Sequence, residues 1–198
     1  MNPVGAGLVG VAYLIGSFSF AVILVRMRTG RDIRTEGSGN AGATNVLRSH
    51  GKALGLAVAG LDTAKGAAAV LLVRLATADP RYAAAAGFAA ILGHVFPIFY
   101  GFRGGKGVAT AVGAFLLLAP LATLISLGTF VAVIAITRYV SLGSIVGMVL
   151  LPPVAGGIFH EPGAVVAAAA ATAILVILKH RENLRRLAAG TERKLGQK

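Results

Sequence analysis

Long apolar runs separated by short polar loops dominate the chain. Residues 4–25 carry no charge, and further runs cover 53–73, 82–102, 108–137, 143–159 and 163–178. A hydrocarbon core of ~30 Å takes about 20 apolar helical residues, so most of these runs suit one crossing each. Residues 108–137 as a single helix would be roughly 45 Å long, and Pro120 near the middle removes a backbone donor and breaks a helix. Two shorter crossings, 108–118 and 121–137, fit better. The pattern predicts an all-α integral membrane protein of about seven transmembrane helices, over 4–25, 53–73, 82–102, 108–118, 121–137, 143–159 and 163–178. All 198 residues then form one membrane domain.

Basic residues orient this arrangement. With seven spans, Arg26 to Lys52, Arg103 and Lys106, Arg138, and the cluster from Lys179 onward all fall on one side, leaving Arg74 and Arg81 on the other. Lys and Arg concentrate on the cytoplasmic face, which places the N-terminus outside and the C-terminus in the cytoplasm. Six spans would move the basic tail outside. The first run has no Lys or Arg before it and is long enough to span, so it reads as a retained helix rather than a cleaved leader.

Composition agrees: 56% of side chains are hydrophobic, 13% are charged and the mean hydropathy is +0.80. The net charge of +12 lies in the loops, where it matches anionic lipid headgroups rather than nucleic acid. The absence of cysteine excludes a thiol nucleophile, a thiolate metal site and a disulfide framework. Within the spans, Asp62 and Lys65 are three residues apart and share a helix face. Ionisable groups at that depth are paired or functional, and both readings stand open. The 27 glycines and the alanine runs suit close helix packing.

The loops carry the chemistry. After the first span comes Glu36-Gly37-Ser38-Gly39-Asn40-Ala41-Gly42-Ala43-Thr44-Asn45, then Arg48. Glycines let the backbone turn its N–H groups inward, Ser, Thr and Asn add neutral donors, and Arg adds charge. This is the make-up of an anion cradle at a helix start, or of a plain glycine turn capping the second helix. A second loop reads Gly93-His94-Val95-Phe96-Pro97, then Gly101-Phe102-Arg103-Gly104-Gly105-Lys106-Gly107, with Thr110 beyond. It allows phosphate close to backbone and ammonium together. It is not a nucleotide-binding P-loop: the glycine-to-lysine spacing is one residue short, and Gly107 stands where Ser or Thr would hold Mg²⁺. The link Arg138-Tyr139-Val140-Ser141-Leu142-Gly143-Ser144 offers a cation and two hydroxyls, Ser141 and Ser144. In the tail Lys179-His180-Arg181-Glu182-Asn183, His180 and Asn183 share a helical face, which makes the histidine a candidate base. Two basic glycine loops on one side of a membrane imply two phosphate groups, or one held from both sides.

These three ordered motifs (residues 37–45, 93–110 and 179–183), together with chain length and span count, resemble the acyl-phosphate-dependent glycerol-3-phosphate acyltransferases of bacteria, the PlsY family. The resemblance implies transfer of a fatty acyl group from acyl phosphate to the 1-hydroxyl of sn-glycerol 3-phosphate, giving lysophosphatidate and phosphate at the start of phospholipid synthesis. It implies a bacterial inner-membrane enzyme with its site facing the cytoplasm. Its partners would be the two substrates, membrane lipids and a functional link to an enzyme that makes acyl phosphate. Soluble-headed acyltransferases that use acyl-CoA or acyl carrier protein carry Asp five residues after a histidine, which none of His50, His94, His160 or His180 has.

Within that resemblance, Lys106 with its glycines Gly104, Gly105 and Gly107 holds glycerol 3-phosphate, Arg103 beside them is a further substrate-binding candidate, and Ser38 and Arg48 are needed for activity. Ser38, Asn40, Gly42, Thr44 and Asn45 line the acyl-phosphate headgroup. His180, oriented by Asn183, is the conventional base, the alternative being the departing phosphate of the donor. No covalent intermediate is required, because acyl phosphate is already activated, and no cofactor or metal is expected, because the sequence shows no metal-ligand cluster and lacks the Mg²⁺-binding chemistry of nucleotide enzymes. A small membrane transporter of organic phosphates is the rival reading.

Overall fold

The structure, a computed structural model, describes residues 2–197, which contain helices and loops and no strand. The helices are α1 (Pro3–Ser17), α2 (Phe20–Thr29), α3 (Ala43–His50), α4 (Lys52–Ala76), α5 (Pro80–Val95), α6 (Val108–Leu118), α7 (Pro120–Thr137), α8 (Val140–Pro153), α9 (Gly163–Lys179) and α10 (Arg181–Ala188). Each predicted run is matched by apolar helix, and the chain does break between α6 and α7, where Pro120 opens the new helix.

Five stretches are long and apolar enough to cross a bilayer: Pro3–Thr29, Lys52–Ala76, Pro80–Tyr100, Pro120–Thr137 and Val140–Ile158. A sixth arises if α9 is counted with α10, which bends from it by 58°. At 11 residues, α6 is roughly 16 Å long, about half of a hydrocarbon core. Length and composition thus give five or six crossings where the sequence pattern predicted seven.

The first run is the clearest departure, being two helices that break at Phe18 and Ser19 and end at Thr29. The Ser17 hydroxyl turns back onto the Tyr13 carbonyl at 2.9 Å, and the Ser19 side chain caps α2 at the Val22 N–H. The Phe18 carbonyl, freed by the break, accepts from Lys65 Nζ at 2.6 Å. Likewise α5 stops at Val95 instead of running to 102, because Pro97 disfavours helical backbone at the residue before it.

Packing is backbone against backbone. A methyl on Gly16 would strike the Ala90 carbonyl and one on Gly93 the Tyr13 carbonyl, which locks α1 to α5. Gly66 meets the Thr110 carbonyl and Gly113 the Thr63 carbonyl, which locks α4 to α6. Small residues that let helices approach this closely are the main adhesive between apolar helices where water supplies no drive. Gly113→Ala is therefore expected to lower stability by about 1–3 kcal/mol through overpacking, seen as a lower thermal midpoint in detergent. Gly128→Ala, where an added Cβ meets nothing within 4 Å, serves as the unaffected control.

Candidate active site

Both glycine loops, the α7–α8 link and the tail converge on one cavity of about 1330 Å³, larger than the ~300–1,000 Å³ usual for one small ligand. Its lining includes polar groups, among them Ser38, Asn40, Thr44, Arg48, Lys106 and His180, and apolar ones, among them Val112, Phe115, Leu127, Phe130, Met148 and Leu151. Gly42, Asn45, Arg103, Gly104, Gly107, Ser141, Ser144 and Asn183 also border it. Gly105 sits behind the wall, buried against the His94 ring.

Two helices begin at this cavity. α3 starts after Gly42 and α6 after Gly107, and neither has a side-chain cap. Their first residues Ala43, Thr44, Val108 and Ala109 line the space. The first N–H groups of a helix have no intrahelical partner, and with the helix dipole they favour an anion. The helix start expected after the first glycine loop is present, and the second loop ends in another.

Asn45 organises the first loop. Its Nδ2 donates to the carbonyls of Ile33, Glu36 and Asn40 at 3.0–3.2 Å, and its Oδ1 accepts from the Ser38 N–H at 3.0 Å. That commits the amide to the loop's own backbone, so Asn45 shapes the cradle rather than donating into it. Gly37, at φ 56°, passes so close to Asn45 Oδ1 that a Cβ would collide with it, and left-handed backbone favours glycine in any case. The Ser38 hydroxyl makes no hydrogen bond to the described residues. Arg34 joins the two loops, donating through Nη1 to the Tyr100 carbonyl at 2.7 Å.

In the second half of the site the structure corrects the expected His180–Asn183 pair. Asn183 Oδ1 instead accepts from Lys106 Nζ, and its Nδ2 donates to Glu192 Oε1 at 2.7 Å. His180 Nδ1 contacts the Val176 carbonyl at 2.8 Å. A carbonyl only accepts, so Nδ1 carries the proton and Nε2 of the neutral ring is an acceptor. Ser141 Oγ donates to Glu192 Oε1 at 2.8 Å and Ser144 Oγ to the Val140 carbonyl at 2.9 Å. Their protons are committed, leaving only lone pairs for a ligand. Arg48 gives one N–H to the Arg193 carbonyl at 3.0 Å, while its buried Nε has no partner among the described residues.

Glu192 is the residue that sequence reading missed. It is 6% exposed and accepts from Ser141, Asn183 and Arg186, the last at 2.7 Å. Burial alone would raise its pKa, but those three donors outweigh it and hold the carboxyl below its usual range. Thr191-Glu192-Arg193-Lys194 reads as an ordinary solvated tail, and the one available signal was a lone acid within a basic segment. Glu182, by contrast, is exposed and pairs with Arg185 at 3.1 Å.

The same surroundings tune the two central bases. Burial, with Arg186, Arg48 and Lys179 nearby, lowers Lys106 to about 8, against the pull of Glu192. Burial and the Lys106 charge lower His180 to about 4. Around neutral pH the site therefore holds a charged Lys106 beside a neutral His180. The dependence follows in sign: kcat/KM for a phosphate acceptor should fall above about pH 8, as Lys106 loses its proton, and again toward pH 4, as His180 gains one. A kcat/KM–pH profile checks both limbs, since it reports the free enzyme.

The family model described as glycerol-3-phosphate acyltransferase matches residues 6–190. The chain belongs to the glycerol-3-phosphate acyltransferase family. It is 48% identical to the glycerol-3-phosphate acyltransferase of Geobacter sulfurreducens, with 93% of this chain and 94% of the relative covered. It is 45% identical to that of Anaeromyxobacter dehalogenans, over 98% and 100%. Two crystal structures of PlsY (YgiH), an integral membrane glycerol 3-phosphate acyltransferase, superpose on it. The glycerol 3-phosphate form gives a TM-score of 0.92 at 38% identity, over 97% of this chain and 96% of that one. The lysophosphatidic acid form gives 0.88 at 36%, over 97% and 95%. This acyltransferase is accordingly a multi-pass membrane protein. Among its described residues no group of three or more His, Cys, Asp or Glu is placed to hold a metal.

Proposed function

We propose that the chain transfers a fatty acyl group from acyl phosphate to the 1-hydroxyl of sn-glycerol 3-phosphate, releasing lysophosphatidate and phosphate. The observation that carries this is the pair of uncapped helix N-termini opening on one cavity with Arg48 and Lys106, which suits two phosphates side by side. The second loop and Lys106 take glycerol 3-phosphate. The first loop, with Ser38, Asn40, Thr44 and Arg48, takes the donor headgroup, and the apolar lining of the cavity takes its chain.

In the transfer the acceptor oxygen attacks the acyl carbonyl, and the bond from that carbon to the phosphate oxygen breaks. N–H and hydroxyl donors of the first loop stabilise the charge that develops. The departing phosphate accepts the hydroxyl proton, while His180 Nε2 orients the hydroxyl by accepting its hydrogen bond. A histidine held near 4 is a poor proton acceptor around neutral pH, which favours this division of labour. Asn183 and Glu192 hold Lys106 in place. Arg103, Ser141 and Ser144 border the acceptor and offer charge and lone pairs.

We further propose seven crossings, with α6 and α9 as short ones, the N-terminus outside and the site at the cytoplasmic face of a bacterial inner membrane. The one-sided distribution of Lys and Arg supports this, as does a soluble acceptor meeting a membrane-borne donor. A functional link to an enzyme that makes acyl phosphate follows from the donor's chemistry.

The test is acyl transfer by the purified detergent-solubilised protein, offered palmitoyl phosphate, palmitoyl-CoA or palmitoyl acyl carrier protein with labelled glycerol 3-phosphate. Lysophosphatidate from the acyl phosphate alone is expected. Product only from one of the other donors would overturn the donor assignment.

A further inference from the structure

Three ionisable side chains lie together on α4 and α5, and two of them, Asp62 and His94, border the same cavity without belonging to the reacting groups described so far. Asp62, Lys65 and His94 are 1%, 5% and 6% exposed. Lys65 Nζ meets Asp62 Oδ1 at 2.8 Å, His94 Nδ1 at 3.0 Å and the Phe18 carbonyl at 2.6 Å. Asp62 Oδ1 is also 3.6 Å from His94 Nδ1. An ammonium offers donors only, so His94 Nδ1 accepts and the ring proton sits on Nε2.

The far edge of that ring faces the second glycine loop. A methyl added at Gly105 would collide with His94 Nε2 and Cε1, and it would also press on the Ala41 carbonyl of the first loop. The Gly105 N–H donates to the His94 carbonyl at 3.1 Å. Gly105 is thus gripped by both the main chain and the ring of one residue, and it directly precedes Lys106. Stability does not account for such a cluster, because a buried ion pair gains little over apolar packing of the same volume.

We propose that Asp62, Lys65 and His94 are positioning residues for the acceptor phosphate. Lys65, anchored by Asp62 and by the carbonyl freed at the α1–α2 break, holds the His94 ring on edge against Gly105. That contact sets where Lys106 presents its ammonium. No bond or proton is exchanged within the cluster. The inference rests on the reading that glycerol 3-phosphate binds through Lys106.

The experiment is titration calorimetry of glycerol 3-phosphate into the detergent-purified full chain, beside steady-state kinetics and thermal unfolding. Two variants carry the first test: Asp62→Asn/Lys65→Met, which removes both charges at once, and His94→Ala. Each is expected to weaken binding and raise KM by ~10- to 100-fold, the scale of a misplaced contact, with kcat within a few-fold of wild type. Combining them should add little, since both act through one contact. His94→Gln, whose amide reaches toward Gly105, is expected to recover most of the affinity. His94→Asn, which reaches only to Lys65, is not.

A lower melting midpoint with unchanged affinity would reduce the cluster to scaffolding and overturn the proposal. So would a fall in kcat at unchanged affinity, or Asn binding as well as wild type. Binding needs no acyl donor, so a failure of the acyl-phosphate reading shows separately, as wild-type protein that binds glycerol 3-phosphate but yields no product.

Discussion

Lys106→Met is expected to raise KM for glycerol 3-phosphate by two to three orders of magnitude while the protein still folds. Lys106 is a cation of the second glycine loop, next to Gly107 at the start of α6, and its partner is the neutral amide of Asn183. With no carboxylate bound directly to it, its charge is available to a ligand. Losing one member of a buried, hydrogen-bonded charge pair costs roughly 2–5 kcal/mol, which corresponds to ~30- to 4,000-fold. Folding should be spared, since burial works against the ammonium and methionine keeps the length of the side chain. The reading is KM and Kd for glycerol 3-phosphate, with KM for the acyl donor as the internal reference. Equal losses on both substrates would mean that Lys106 bridges the two phosphates.

His180→Ala is expected to lower kcat by about 10²-fold, the scale of losing the contact that orients a reacting group. The division of roles makes a sharper forecast for His180→Gln. A glutamine oxygen near the position of Nε2 can still accept a hydrogen bond from the hydroxyl but cannot take up its proton. If His180 orients, His180→Gln should retain most of the activity lost in the alanine variant. If His180 is the base, the two variants should be equally slow. Rates at saturating donor and acceptor, compared at pH 7, separate the cases, because His180 is neutral there.

Much of this architecture was legible because its causes are local. Apolar run length, one mid-run proline and loop glycines depend on nearest neighbours, and they located every apolar helix and the α6–α7 break. The break at Phe18 was not legible. It depends on Lys65, 47 residues away, accepting the role of partner to an orphan carbonyl. The span count does not close because α6, read correctly as a short run over 108–118, is roughly 16 Å long, about half of a hydrocarbon core. In the site, the residue types at the cradle were readable but their pairings were not. His180 and Asn183 share a helical face in sequence, yet the amide is claimed by Lys106 and Glu192. Asn45 has the chemistry of a ligand donor, and only the folded loop shows its amide facing inward. Glu192 was hidden because burial in a tail segment is a tertiary fact.

The tail that carries Glu192 works as a strap across the site. Beyond α10 it gives the Arg193 carbonyl to Arg48. It also exchanges two hydrogen bonds with Arg138, the Leu195 N–H to the Arg138 carbonyl at 2.7 Å and Arg138 Nη2 to the Leu195 carbonyl at 2.8 Å. Lys194 lies over the Tyr139 ring, 5.5 Å from its centre. For anyone building expression versions of this enzyme, these residues are not spare sequence at the end of the last helix. A version trimmed after α10 would lose Glu192 and Leu195, and with them one wall of the cavity.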